Sequence, residues 1–329
     1  MRRTLFLAPF IFSVSAFANE NMGLNDHWKI FADFLYIQRE KIGYTNIVND
    51  ANKQDLDPCD CFNLHVLNVQ KLLGQFDHEP GVRLGIAYQP NARKSFEGNV
   101  FWIDTWEGSR VVKGNQSLYF PFRDLNYTID YVNASKVVAT YTSSLWGSEL
   151  NYWRHWTPRH VNYFSLSGVV GLRYFNLREG INMQFSHPPD TSDYNVHTEN
   201  NMLGAQLGLN LQLNPTKTLS WDMTAKAGAM ANHAELNSLL LDRNNTVTLR
   251  DLKHQRWNGL TFADLLASLS FQVTDHFNVH VGYELIYLSN VALAPDQISK
   301  QTKSVAERDI KTGGHPIFHG LFAGITVGF

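Results

Sequence analysis

Residues 203–213 read LGAQLGLNLQL, and this stretch decides the fold class. Leucine or alanine stands at every odd position, and glycine, glutamine or asparagine stands at every even one. Because successive side chains of a β-strand point to opposite faces, the pattern predicts a strand with one apolar face and one small or polar face. Residues 219–229, LSWDMTAKAGA, repeat the alternation after the polar turn 214–217, so the two stretches predict a hairpin.

The same alternation recurs along most of the chain and predicts ten strands. Short polar turns alternate with long polar loops, so both chain ends lie on one side, which requires an even number of strands. Twelve strands remain possible if a loop hides a hairpin, and Ile181–Phe185 is a candidate strand of this kind. The stretch Asn99–Trp106 is apolar on both faces, so the alternation does not orient it. The predicted strands are 27–38, 80–90, 98–107, 135–156, 161–176, 202–213, 218–232, 259–273, 276–289 and 317–329.

A β-sandwich in water and a β-barrel in a membrane both contain alternating strands. The polar face of a sandwich meets water and should carry many charges, whereas here it carries mainly glycine, serine, asparagine, glutamine and threonine. Aromatic residues cluster near strand ends, as they do in the interfacial girdles of membrane barrels. In lipid every backbone N–H and C=O must be paired, so such a sheet must close on itself. We therefore expect an all-β chain that forms one antiparallel transmembrane barrel of about ten strands (8–12) over residues 19–329.

The first 18 residues have the features of a secretory signal peptide. Arg2 and Arg3 precede the apolar run 5–18, which ends in the small-x-small sequence Ala16-Phe17-Ala18. The run is too short to span a bilayer, which takes about 20 apolar residues. We expect cleavage after Ala18 and export to the outer membrane of a Gram-negative-type cell.

Lumen-facing charges are the candidate functional residues. Their signs are mixed, so they can pair and fill the barrel or line a small wet path. Barrels of about eight strands are filled by side chains, and open channels need about 16 to 18 strands. Two hypotheses stay open on this size argument: a narrow pore for small solutes, and a structural or adhesive barrel that acts through its outer loops. The charged residues are Lys29, Asp33, Arg83, Glu149, Arg173, Asp222, Lys226, Asp264 and Glu284.

The remaining chemistry of the sequence is sparse. A net charge of -2 gives no electrostatic case for nucleic acid. His155 with His160, and His315 with His319, flank turns or strand ends without a carboxylate-rich metal shell, so no metal or cofactor is expected. A barrel enzyme with His233 or Asp190 at its outer rim is the third and weakest hypothesis, because nothing specifies a nucleophile–base pair.

Cys59 and Cys61 lie in the longest predicted outer loop. They are one residue apart, so a bridge between them would be strained. They are either two free thiols or partners in an intermolecular disulfide at the cell surface.

The last strand ends on Phe329 and resembles the recognition strand of proteins that the barrel-assembly machinery inserts. This resemblance implies the barrel-assembly machinery as a partner. The signal peptide implies the secretion apparatus, and the barrel implies outer-membrane lipid. Oligomers are possible.

Several stretches resemble the major-outer-membrane-protein-like, pore-forming barrels of Legionella, with relatives in planctomycetes and chlamydia-like bacteria. The resemblance implies a membrane barrel and a pore, and it supplies no catalytic residues. The similar stretches are 28–36, 81–85, 146–152, 171–175, 282–284 and 291–297.

Overall fold

The structure is a computed structural model of the full chain. It describes residues 27–40, 45–52, 65–122, 129–156, 163–216, 218–300 and 309–329. The predicted signal peptide 1–18, Cys59, Cys61 and His160 lie outside the described residues.

Ten strands close into a ring, which confirms the predicted barrel class. The closure is antiparallel, because the first strand, Trp28–Arg39, pairs with the last strand, Ile317–Gly328, on one side and with Glu79–Asn91 on the other. The ring runs β1-β4-β5-β7-β8-β9-β10-β11-β12-β13. Its strands are β1 Trp28–Arg39, β4 Glu79–Asn91, β5 Lys94–Ile103, β7 Ala134–His155, β8 Phe164–His187, β9 Asp190–Leu213, β10 Leu219–Leu241, β11 Thr248–Thr274, β12 Phe277–Leu288 and β13 Ile317–Gly328.

Three further strands extend the sheet beyond the ring. β6 (Trp106–Tyr119) continues the line of β5 after a break at residues 104–105, and both pair antiparallel with β7. β2 (Asn46–Asp50) and β3 (His65–Asn68) pair with each other, and β2 pairs with the end of β6. The short helix α1 (Val69–Leu73) follows β3, and the Asn68 side chain caps it by accepting from the backbone N–H of Lys71 at 2.9 Å. Among the described residues, no helix has the length and apolarity needed to cross a membrane.

Several predicted loops are in fact the outer parts of strands. β8 continues to His187 instead of ending at 176, so Ile181–Phe185 belongs to it and is not a separate strand. β9, β10 and β11 likewise run about ten residues beyond the predicted ends. The reason is that polar residues point outward there, so the apolar face that marks a lipid-facing strand is missing.

The ring has two levels, which we name by their surroundings. The membrane band comprises residues 28–36, 80–88, 94–103, 146–155, 164–174, 203–213, 219–231, 259–273, 277–287 and 319–328. Its outward side chains are exposed and apolar, and its strands have the roughly ten residues that cross a bilayer. The outer segment comprises residues 134–145, 175–187, 190–202, 232–241 and 248–258, together with β2, β3, β6 and α1.

The interior of the outer segment is a hydrophobic core. Phe185, Tyr194 and Val196 point into it from β8 and β9 and are fully buried. Elements outside the ring pack into the same core, including Leu72 of α1 and Leu293 of the β12–β13 connection. The outer mouth of the barrel is therefore filled by its own side chains and by inserted chain segments.

Candidate functional site: the barrel lumen

The nine charged residues predicted to face the lumen all lie on the buried side of their strands. Asp33 and Asp264 are completely inaccessible, and the other seven are at most 5% exposed. They occupy alternate positions between lipid-facing residues, as the exposed Phe34 and Leu265 beside them show. The ring thus encloses the set inside the membrane band.

Arg173 and Lys226 organise the first group of ion pairs. Arg173 Nη1 lies 2.5 Å from Asp264 Oδ2, and its Nη2 lies 3.3 Å from Glu149 Oε1. Lys226 Nζ lies 2.8 Å from Glu149 Oε2 and 3.9 Å from Asp264 Oδ2. The guanidinium of Arg173 also lies over the ring of Phe175, 4.5 Å from its centroid. These four charged groups come from four different strands, so they tie the walls of the barrel together across the lumen.

Arg83 organises the second group on the opposite wall. It pairs with Glu284 and, at 3.2 Å, with Asp33 Oδ2. His280 Nε2 lies 3.3 Å from the second oxygen of Asp33. The two groups together form what we name the ion-pair layer: Asp33, Arg83, Glu149, Arg173, Lys226, Asp264, His280 and Glu284.

The other two predicted residues lie nearer the periplasmic end. Lys29 donates to Gln89 Oε1 at 3.3 Å. Asp222 accepts from Ser220 Oγ at 3.5 Å.

Sequence reasoning missed Glu97, a buried carboxylate of β5. It accepts hydrogen bonds from the side chains of Asn99, Asn151 and Trp153 at 3.1–3.3 Å. The predicted strand began at residue 98 and was not oriented, because Phe101 and Ile103 face inward and make both faces of β5 apolar. The alternation of Glu97 with Asn99 was the signal that could have found it.

Sequence reasoning also missed the buried ion pair between Arg39 and Glu179, which lies above the ion-pair layer. Arg39 Nη2 lies 2.5 Å from Glu179 Oε1. Glu179 also accepts from the Tyr141 hydroxyl at 2.9 Å and from the backbone N–H of Ala294 at 3.0 Å. Burial raises the pKa of Glu179, although Arg39 beside it acts in the opposite direction. Glu179 therefore attaches the β12–β13 connection to the inside of the outer segment.

Two further contacts hold this connection in the mouth of the barrel. The Asn200 side chain donates to the carbonyl of Ala292 and accepts from its N–H, both at 2.8 Å. The Tyr194 hydroxyl accepts from the backbone N–H of Ser299 at 2.9 Å. We name residues 291–299 the plug, because they are buried almost throughout and lie beyond the ion-pair layer.

The histidines considered as candidates for a catalytic or metal site lie apart from one another. His155 is buried between Ser95 and Ser167, with ring nitrogens 3.1 and 2.8 Å from their hydroxyls. His315 and His319 stack on Tyr287 and Tyr283 at the outer wall. His233 also lies on the outer wall, and Asp190 begins β9. Within the described ranges, no group of three metal-ligating side chains is found.

Comparison with known proteins supports the same architecture. The family model described as Putative beta barrel porin-7 (BBP7) matches residues 32–320. This match confirms a porin-like barrel family, and it does not identify the Legionella-type family that the sequence resembles. No curated protein matches the chain.

Solved structures show likeness of fold at low sequence identity. The outer membrane protease OmpT from Escherichia coli is 10% identical, with a TM-score of 0.57, over 95% of this chain and 100% of that chain. The translocator domain of the autotransporter NalP from Neisseria meningitidis is 9% identical, with a TM-score of 0.39, over 92% of this chain and 89% of that chain. At these identities, the likeness to OmpT concerns the fold alone.

Proposed function

This chain belongs to the BBP7 family of porin-like outer-membrane β-barrels, and from that premise we propose that it is a narrow, gated pore for small solutes. Two seals of different chemistry inside one ring support the proposal that the pore is gated. The ion-pair layer closes the membrane band, and the plug with its hydrophobic surroundings closes the outer mouth. Passage then requires that the plug leaves the mouth and that water separates the ion pairs.

A ring of ten strands supports a narrow passage over a wide one. Barrel diameter grows with strand number, and rings near eight strands are filled by side chains. Charged groups of both signs in the lumen favour weak ion selectivity, because neither sign dominates the path. We propose passive passage without chemistry, in keeping with the porin-like family.

Conductance across planar bilayers tests the pore. The plugless variant replaces residues 291–314 with a short glycine–serine turn, which is feasible because Val291 and Gly314 pair as an isolated bridge. We expect the wild-type barrel to be almost silent and the plugless barrel to show small, flickering channel events. Heat-modifiable electrophoretic mobility checks that both barrels are folded. If neither folded barrel conducts, the pore is excluded.

A second candidate function is a surface-structural or adhesive barrel. The outer segment favours it, since its strands project well beyond the bilayer and enclose a packed core. A plugless barrel that is silent, combined with loss of surface binding when outer loops are exchanged, would favour this candidate over the pore.

The biogenesis features remain part of the proposal. Phe329 lies at the seam, where its N–H donates to the Trp28 carbonyl at 2.9 Å and its carbonyl accepts from the Trp28 N–H at 3.0 Å. We propose that the signal peptide exports the chain and that the final strand directs its insertion. Deletion of Phe329 should reduce the folded barrel in the outer membrane, measured by heat-modifiable mobility.

The two cysteines carry a separate proposal, an intermolecular disulfide at the cell surface. Non-reducing electrophoresis of intact cells tests it. Dimers that disappear in a Cys59→Ser, Cys61→Ser variant would support it, and monomers with free thiols would exclude it.

A further inference from the structure

A groove of about 570 Å³ lies in the outer segment, directly beyond the membrane band of β8–β11. The strand alternation points most of its lining side chains outward, away from the lumen. They form two rows across the sheet, fixed by the strand register. The row nearer the membrane is Arg178, Glu199, Glu235 and Gln255, and the farther row is Gly180, His197, Asn237 and Lys253.

The groove combines donors and acceptors in balanced numbers. Arg178 donates to Glu199 Oε1 from both Nε and Nη2 at 2.9 Å, and Asn176 adds a bond at 2.8 Å. Burial acts to raise the pKa of the Glu199 carboxylate, but these hydrogen bonds outweigh it and hold the pKa below its ordinary value. Glu235 stands directly opposite Glu199, and Lys253 supplies a second cation. Such a mixture suits a polyhydroxylated group, because hydroxyls both donate and accept hydrogen bonds.

An aromatic ring lies at the membrane edge of the groove. Trp257 is 70% exposed, and its ring centroid lies 4.7 Å from that of His233. Exposed tryptophan with one apolar face and one polar edge is typical of membrane–water interfaces. The flat indole beside carboxylate and amide groups offers a stacking surface for a sugar ring.

Below Trp257 the lipid-facing wall has unusually small side chains. β10 presents four consecutive outward alanines, and three of them face Gly259, Thr261 and Ala263 of β11. The fourth, Ala225, faces the exposed Leu265. The wall opposite carries large residues instead, such as Trp102 and Phe34. The small residues leave a shallow channel along the bilayer normal, and its outer end lies at the His233–Trp257 pair that borders the groove. They are Ala225, Ala227, Ala229, Ala231, Gly259, Thr261 and Ala263, and Leu265 ends the channel toward the middle of the band.

We propose that the groove and the channel together bind one glycolipid of the outer leaflet. Its glycan headgroup lies in the groove against Trp257, and an acyl chain lies along the alanine channel. The polar groove and the apolar channel adjoin at Trp257 on the membrane boundary, and this adjacency is what selects an amphiphile. A second copy of the chain fits less well, because it would cover Arg178 and Lys253 as well as both carboxylates. The proposal is independent of whether the lumen conducts.

Native mass spectrometry of the detergent-purified barrel tests this site. The probes are rough lipopolysaccharide and phosphatidylethanolamine, titrated separately. We expect lipopolysaccharide to bind at least about tenfold more tightly, and Trp257→Ala to weaken it about tenfold, which corresponds to about 1.4 kcal/mol. Ala227→Leu combined with Ala229→Leu should weaken it as well, because the channel is filled.

Trp102→Ala is the matched control, since Trp102 is also an exposed tryptophan near the outer end of the band but lies on β5. It should change binding by less than about twofold. Equal losses for Trp102→Ala and Trp257→Ala, or no preference for lipopolysaccharide over phosphatidylethanolamine, would overturn the proposal. Cross-linked dimers that vanish in the double leucine variant, with lipopolysaccharide binding unchanged, would also overturn it by assigning the channel to a second copy.

Discussion

The membrane band and the outer segment are built from the same strands with opposite polarity. In the part of β9 that lies in the membrane band, Leu207 faces outward and is exposed, while Gln206 faces inward and is buried. Farther along the same strand, Asn195 faces outward and Tyr194 is completely buried inside. The strand keeps its period of two throughout. The surrounding solvent, lipid at one level and water at the other, decides which residue type belongs on which face.

Because the apolar and polar faces exchange sides between the membrane band and the outer segment, the two levels have different sources of stability. The lumen of the band contains charges, so its stability depends on every buried charge having a partner. The interior of the outer segment is apolar and depends on close packing instead. Substitutions at each level should therefore destabilise the barrel for different physical reasons.

Removing one cation from the ion-pair layer should have the largest effect. Arg173→Met keeps the side-chain volume approximately but leaves Asp264 and Glu149 buried with less compensation. We expect a loss of about 3–5 kcal/mol in unfolding free energy, measured by urea titration in lipid vesicles. Arg178→Met is the control, because its pair with Glu199 is exposed and should be worth about 0–1 kcal/mol. Equal losses would contradict the dependence of the band on paired charges.

Opening a cavity in the outer segment should have the next largest effect. Phe185 is fully buried and packs edge-on against Phe120 and Tyr131. Phe185→Ala should lower the unfolding free energy by about 3 kcal/mol, measured in the same titration. The neighbouring Gln184 faces outward, so Gln184→Ala should change the value by no more than about 0.5 kcal/mol. A Phe185 variant as stable as the wild type would show that the outer core is not packed.

Freeing the plug should have a local effect. Asn200→Ala removes both hydrogen bonds to Ala292 and leaves its buried N–H and carbonyl without these partners. We expect a cost of about 1–3 kcal/mol for plug docking and faster proteolysis within residues 291–299. Asn195→Ala, an outward substitution on the same strand, should leave the cleavage rate unchanged. Equal cleavage rates in the two variants would contradict the plug contact.

The smallest effect concerns the tip of the outer segment. Asp242 accepts from the N–H groups of Val247 and Thr246 at 3.0 and 2.7 Å, and these hydrogen bonds lower its pKa below the ordinary value of an aspartate. A carboxylate with a lowered pKa stabilises the β10–β11 turn above its unfolded pKa, and the contribution is lost as the pH falls through the folded pKa. Amide chemical shifts of Thr246 and Val247 should therefore titrate with a midpoint below 3.8. An Asp242→Asn variant that shows the same titration would assign it to another group.

The sequence predicted the band well because lipid imposes a strong alternation. Leu203–Leu213 and the lumen positions of residues such as Arg173 and Asp264 followed directly from the period of two. The outer halves of β8–β11 were predicted as loops, because Asn182 and Gln184 face water and the remaining apolar residues face inward. Glu97 was missed for a related reason, since Phe101 and Ile103 extend the apolar core into the top of β5 and hide the alternation.

The pairing of the charges was beyond prediction from one sequence. Arg83 and Glu284 are 201 residues apart, and their contact depends on the shear and closure of the ring. The docking of the plug under Tyr194 and Asn200 depends on the same closure. Pattern alone therefore placed side chains inside the barrel, whereas the folded ring decided which of them meet.

The most direct test asks whether the interior of the outer segment excludes water. It uses two adjacent residues of β10 that face opposite sides of the sheet. Asn237 faces outward and Ser238 is buried inside the outer segment. Each is replaced by cysteine in a Cys59→Ser, Cys61→Ser background, and a membrane-impermeant maleimide is added to intact cells. We predict rapid labelling at position 237 and labelling slower by orders of magnitude at position 238. Equally rapid labelling at both positions would mean that water fills the outer mouth, and it would contradict the sealed barrel.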